Sequence, residues 1–399
     1  MKSLRFGLVL DQAVEVGGGF QQPLSDLIWL RQWAQSVGHE ILVFSPHPRS
    51  VSLLAELGIE AELLKFGFLD HVVLFLKYLG SFDLVQIFLR FLSPFEKRLL
   101  RRGVNIVYFA TPSKWHLLLY RLPFIITVFD GCHRDVPEFE EVRVFGEFER
   151  REVLYRSAVT KAVLVIANDE GLIDSLCRRY AMERDRAVCI PFSPSSYVGR
   201  PEAQDAVGDA DILKKYNLQP GYLFYPAGFW PHKNHATLLA ALVLLRERNQ
   251  PHRLVLCGSD YGHRGRIEQL VVQHSLGQQV FILGFVDSTE LGALYRSASA
   301  LVMPSYFGPT NLPPLEAWAV GTPVIYPEAF KAQVGDAAVL FDYDSPDSLA
   351  DAIAGIGSTE VADRLRRAGK DRLQDVAQQT EAGHQQFAAH IKRLAYRLI

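Results

Sequence analysis

Short apolar runs recur along the chain, separated by segments whose apolar residues fall at helical spacing, and this alternation predicts an α/β fold. Residues 6–10 predict a first buried strand and residues 40–45 a second. Between them, residues 23–37 place Leu24, Leu27, Ile28, Leu30, Trp33 and Ala34 on one helical face, closed by Gly38. Gly17, Gly18 and Gly19 predict a loop at the first strand-to-helix turn. Further strands are expected at 105–109, 124–129, 162–167 and 188–191, with Asn168 and Asp169 capping a helix that runs to Tyr180. Residues 148–158 read as an exposed helix with ion-pair spacing. Ser, Pro, Gly, Asp and Ala then replace the apolar runs over 194–208, as a linker between domains does. The alternation restarts at 222–225 and continues through 254–257, 280–283, 300–303, 324–326 and 338–341. Ser345 and Pro346 then open another helix as cap and first-turn proline, and long helical stretches come after Thr359.

A chain of 399 residues, 49% hydrophobic and 22% charged, is long enough for two ordinary domains, each with its own core. A formal charge of −2 argues against a nucleic-acid protein. Cys132, Cys177, Cys189 and Cys257 are scattered without metal spacing, which points to a reducing compartment. The first apolar run is too short for a signal peptide, and no run is long enough to span a bilayer, so a cytoplasmic protein is expected.

The most informative stretch is 304–323. Gly308 and Pro309 break the strand before it, Thr310 or Asn311 can cap the next helix, and Pro313 and Pro314 fit only a helix's first turn. A strand, an open loop and a helix N-terminus favour an anion such as phosphate. Glu316, early in that helix, suits sugar or ribose hydroxyls instead. The segment 312–317, with Gly321, Thr322, Pro323 and Val324 after it, resembles the donor-site helix of the retaining family-four glycosyltransferases, which have the GT-B fold of two Rossmann-like domains facing a cleft.

That resemblance implies further roles. Lys233, with Asn234 next to it just after the strand at 222–225, matches the lysine that holds the donor diphosphate, where a fixed cation stabilises charge gained by the leaving group. Two family residues are missing: Gly228 stands where an arginine is usual, and Gly308 where a first glutamate precedes Glu316. His232 and the amides of Leu312 and its neighbours would then share the cationic task, and Thr310 or Asn311 the sugar hydroxyls. Gly258, Phe285 and Val286 fall where relatives line the base pocket, and Gly18 and Gly19 where a glycine loop admits donor or acceptor. That loop lacks G-x-G-x-x-G spacing, and no acidic residue ends the second strand, which counts against a dehydrogenase.

Polar residues after the strand at 124–129 suggest an acceptor side: Asp130, Arg134, and His133 as a proton shuttle or sugar-positioning group, with a plain loop histidine as the alternative. Aromatic and basic residues interleave over 65–102, which reads as two core helices with solvated ends, a membrane-facing patch being the other reading.

The expected organisation is an acceptor-side domain over 1–195, a linker over 196–212, a nucleotide-sugar domain over 213–375 and, by resemblance, a helix over 376–399 crossing back to the first domain. The expected activity is retaining transfer of a hexosyl-type group from a nucleotide sugar to a saccharide or lipid-linked acceptor, in surface polysaccharide or glycolipid synthesis. No cofactor or metal is required, no nucleic acid is involved, and peripheral contact with the inner face of a membrane is left open. The rival readings are a degenerate nucleotide-sugar binder, a GT-B sugar-nucleotide epimerase and a non-catalytic sugar-binding protein.

Overall fold

The computed structural model describes residues 3–13, 18–79, 91–195, 198, 208–308 and 311–398. The chain divides into two compact units. The first comprises Met1–Arg134, Phe145–Pro191 and Gln379–Ile399; the second comprises Asp135–Val144 and Phe192–Gln378.

The first unit is built on a parallel sheet of β1 (Arg5–Val9), β2 (Glu40–Ser45), β3 (Ala61–Leu63), β4 (Ile106–Phe109), β5 (Phe124–Val128), β6 (Leu164–Ala167) and β7 (Ala187–Cys189). Their order is β3-β2-β1-β4-β5-β6-β7. β4, β5 and β6 are buried along their whole length, as strands covered by helices on both faces must be. The short edge strand β3 carries no long apolar run, and the hydrophobic pattern does not announce it. Gly18 and Gly19 are not a loop: they begin the helix Gly18–Val37, which continues through Pro23. Phe387 and Ile391, from the long helix Thr359–Leu398, are fully buried in this unit's core, and His384 stacks on Trp29 at 3.7 Å.

The second unit carries β8 (Tyr222–Pro226), β9 (Leu254–Cys257), β10 (Val280–Ile282), β11 (Ala298–Val302), β12 (Val324–Pro327) and β13 (Val339–Phe341), in the order β10-β9-β8-β11-β12-β13 and again parallel. In each sheet the order reverses beside the first strand, between β1 and β4 and between β8 and β11. Loops leaving the carboxyl ends of such strand pairs part there and open a crevice, the usual ligand position in open α/β sheets.

The two expected core helices over 65–102 are only half so. Helix Phe68–Tyr78 buries Asp70, Val73 and Leu74, but Phe68, Leu69, Phe75 and Leu79 are exposed. Helix Pro94–Arg101 buries Phe95, Glu96 and Leu99 and turns Lys97 and Arg101 outward, while Arg98 reaches the buried Asp70. Most of the expected linker lies outside the described residues.

Candidate functional site

The crevice of the second sheet is formed by the loop after β8, carrying Lys233, and the loop after β11, which leads into helix Leu312–Ala319. The phenol of Tyr225 donates to the Lys233 carbonyl at 3.0 Å. Asn234 adopts a left-handed conformation, at φ 55°, and donates its side-chain amide to the Tyr343 carbonyl at 2.9 Å. An asparagine tolerates that backbone, so the Lys-Asn pair fixes the turn that presents the half-buried lysine. The backbone N–H of Tyr306 donates to the His232 carbonyl at 2.9 Å, joining the two loops.

His232 plays a different part from the one expected. Its Nδ1 lies 2.6 Å from Glu141 Oε1, and its backbone N–H donates to the same oxygen at 3.1 Å. Burial alone would raise the Glu141 carboxyl; the hydrogen bonds from His232 outweigh it and hold the group below its usual range. Phe307 stacks on the imidazole at 3.9 Å, and Phe139 packs against Tyr306 and Phe307. A histidine so paired adds no net positive charge. Glu141 and Phe139 come from a segment in the first half of the sequence, where nothing local marks them as belonging here.

Glu316 is buried in the first turns of its helix. Its Oε1 accepts from Ser195 at 2.7 Å and its Oε2 from Tyr295 at 2.8 Å. Burial raises its carboxyl, partly offset by those two hydroxyls. Each oxygen keeps further lone-pair capacity, so a ribose hydroxyl would add to this pair or replace Ser195.

The helix N-terminus is poorer in donors than its position suggests. Pro313 and Pro314 have no N–H, and the Asn311 N–H donates to Gln333 Oε1 at 2.9 Å. Among the described residues Leu312 therefore supplies the remaining first-turn amide. The Asn311 side chain is directed inward, its amide nitrogen donating to the Gly308 carbonyl at 2.8 Å and lying 2.6 Å from the Tyr326 hydroxyl. It is not presented to a sugar. Thr310 lies outside the described residues.

The two glycines at family positions have structural reasons. Gly308 sits at φ +116°, and a Cβ there would meet the Asn311 side chain at 2.6 Å. A Cβ on Gly228 would lie 2.6 Å from the ring of Tyr261, which stacks on Trp230 at 4.3 Å. That aromatic pair fills the space an arginine stem would need. Gly258 is also structural: a Cβ would lie 2.3 Å from the Ala227 carbonyl oxygen, where the ends of β8 and β9 nearly touch. Val286 is buried and Phe285 largely exposed.

The acceptor-side expectations change most. His133 is fully buried, its Nε2 2.9 Å from Glu152 Oε1 and 3.3 Å from the Tyr180 hydroxyl, and burial lowers its pKa. Arg134 grips the same carboxylate with two donors at 2.6 and 2.5 Å. These hydrogen bonds hold Glu152 well below the usual carboxylate range, the Arg134 contacts first among them. His133 and Arg134 thus brace helix Glu147–Lys161 in the first unit, and neither is among the residues lining the cavity described next. Asp130 pairs with Arg151 at 3.1 Å; burial opposes its ionisation, and Arg151 together with hydrogen bonds from Cys132 more than restores it.

Arg151 leads to a site that the sequence reading did not assemble. An open cavity of about 510 Å³ is lined by Asp11, His47, Tyr78, Lys114, Trp115, Glu147, Arg150 and Arg151 among others. Asp11 comes after β1, His47 after β2 and Lys114 beyond β4, so the cavity occupies the carboxyl-end crevice of the first sheet. The His47 Nε2 lies 3.0 Å from the Asp11 carbonyl, and Thr111 donates to the Asp11 carboxylate. Burial raises that carboxyl, with the hydroxyls of Ser113 and Thr111 opposing. A polar residue one or two places past each buried strand was the available signal.

Two doubly wound parallel sheets in succession make this a GT-B fold, and solved glycosyltransferases share it. Anabaena Alr3699/HepE in complex with UDP-glucose superposes with a TM-score of 0.70 over 97% of this chain and 100% of that one, at 16% identity. Residues 211–387 match the model of Glycosyl transferases group 1. The O-antigen chain mannosyltransferase B of Escherichia coli is 29% identical over 54% of this chain and 59% of its own length. A D-inositol 3-phosphate glycosyltransferase of Corynebacterium diphtheriae is 23% identical over 60% of this chain and 57% of its own length. The chain thus spans somewhat over half the length of these curated relatives. Among the described residues no helix is long and apolar enough to cross a membrane.

Proposed function

We propose that this protein moves a hexosyl-type group from a nucleotide-sugar donor to an acceptor hydroxyl with retention of configuration, in the assembly of a surface polysaccharide or glycolipid. The observation that carries this reading is the junction of the Lys233 loop with the loop leading to Glu316 at the β8/β11 crevice. Lys233 holds the diphosphate, aided by the Leu312 amide, and stabilises the charge that grows as the sugar C1–oxygen bond breaks. Glu316 accepts from the ribose. The leaving diphosphate oxygen takes the acceptor proton while the acceptor oxygen bonds C1 on the same face, so no enzymic nucleophile and no metal enter the step. The acceptor, a saccharide or a lipid-linked saccharide presented at the inner face of a membrane, uses the cavity around Asp11, His47 and Lys114. The names of the relatives, an O-antigen mannosyltransferase and an inositol phosphate glycosyltransferase, support a sugar-transfer role.

A second reading, a nucleotide-sugar binder without turnover, is favoured by Gly308, whose backbone and surroundings exclude the usual first glutamate. The test incubates the protein with a panel of nucleotide sugars, with and without saccharide acceptors, and monitors free nucleoside diphosphate. Release only with acceptor supports transfer. Sugar inversion without acceptor supports an epimerase, and thermal stabilisation without turnover supports the binder.

A further inference from the structure

Helix Phe68–Tyr78 leaves an apolar stripe bare: Phe68 is 81% exposed, Phe75 63%, Leu79 61% and Leu69 55%. Residues 68, 75 and 79 recur at helical spacing, so they form one face rather than scattered exceptions. Contiguous exposed aromatic and aliphatic side chains mark an interaction surface.

At the helix's amino end lies an open cavity of about 420 Å³ lined by Lys65, Phe66, Gly67, Asp70, Pro94, Lys97, Arg98 and Arg101. Four cations meet one carboxylate there, in a chain whose formal charge is −2. That carboxylate, Asp70, is fully buried and occupied by the Phe95 and Gly67 N–H groups at 2.9 Å each and by Arg98 at 3.3 Å. Among the described residues Lys65 and Arg101 have no carboxylate partner, and Lys97 lies over the Phe91 ring at 5.3 Å. The cationic helix is firmly seated: Glu96 Oε1 accepts three backbone N–H groups, from Tyr120, Arg121 and Leu122, at 2.6 to 2.9 Å.

We infer that this face docks on an anionic lipid bilayer, with the apolar stripe entering the headgroup region and the cations of Lys65, Lys97 and Arg101 meeting lipid phosphates. Charge complementarity selects this occupant: an apolar partner alone would not require a cationic rim, and a soluble anion would not require bare phenylalanines. The helix also joins this face to the acceptor cavity, since Tyr78 at its carboxyl end lines that cavity. Its 11 residues span roughly 16 Å, so a bilayer held by the stripe lies within reach of it. This last link rests on the proposed acceptor role; the docking itself does not.

The experiment floats the purified full chain, without donor, with vesicles of phosphatidylcholine alone or mixed with phosphatidylglycerol. Binding to the mixed vesicles, weakened by salt, is expected. Phe68→Ser with Phe75→Ser, and separately Lys97→Glu with Arg101→Glu, should each reduce partitioning about tenfold or more while leaving the melting temperature near that of the parent. Folded parent that ignores anionic vesicles, or folded variants that bind as the parent does, would overturn the inference. So would concentration-dependent dimerisation abolished by the phenylalanine changes, which would make a second copy the occupant. Binding is read without sugar transfer, so a failed transferase assay leaves this result standing.

Discussion

The backbone N–H of Tyr306 lies 2.9 Å from the carbonyl oxygen of His232, and across that single hydrogen bond the loops after β11 and β8 become one surface. Around it, Glu141 pairs with His232 and Phe307 stacks on the ring, which is why the proposed mechanism gives the donor diphosphate to Lys233 and not to His232.

Glu316→Ala should destabilise the fold by ~1–3 kcal/mol, because the buried hydroxyls of Ser195 and Tyr295 lose their acceptor. Glu316→Gln keeps an acceptor and should be milder. Thermal denaturation of both variants distinguishes this framework role from ribose binding, which donor titration of the folded Glu316→Gln protein reads separately.

Gly308→Ala should destabilise by ~1–3 kcal/mol, since φ +116° and the Asn311 side chain both oppose a Cβ. Restoring the family glutamate at 308 should therefore not raise donor affinity. Gly228→Arg should be tolerated better when Tyr261→Ala accompanies it than alone, as read by melting temperature.

His133→Ala removes one donor from Glu152 and opens space beside Tyr155 and Phe148, so unfolding should become easier by ~1–3 kcal/mol. Turnover per folded molecule should stay near the parent value. A stable variant that has lost turnover would return His133 to the chemistry.

Asp26 titrates at about 7 in the folded chain, burial raising it against hydrogen bonds from Gln22 and Tyr108. A raised carboxylate leaves the native state holding the proton that the unfolded chain releases, so stability falls as pH rises from about 4 to about 7. Asp26→Asn lacks that loss. The melting-temperature difference, variant minus parent, should grow across this window and level off above it.

The sheet framework was legible because buried parallel strands are continuous apolar runs: β2 and β9 fall on the expected residues. The Lys233 loop and the proline-started helix were legible for a related reason, as both come directly after such runs. The rest required side-chain directions. Periodicity cannot reveal that Asn311 turns inward, that Glu152 takes both His133 and Arg134, or that Glu141 reaches His232 from 91 positions away in the sequence. Gly18 and Gly19 misled because glycine suggests a turn even where a long apolar face carries the helix through it. The bare face of Phe68 and Phe75 misled in the opposite sense, since an apolar helical stripe is ordinarily core.

The most direct test of the donor assignment is calorimetric titration of parent and Lys233→Ala with the nucleotide sugar that best stabilises the parent. The account predicts at least ~1 kcal/mol weaker binding in the variant at unchanged melting temperature, from loss of a charge-assisted contact to the diphosphate. Superimposable titrations would contradict it.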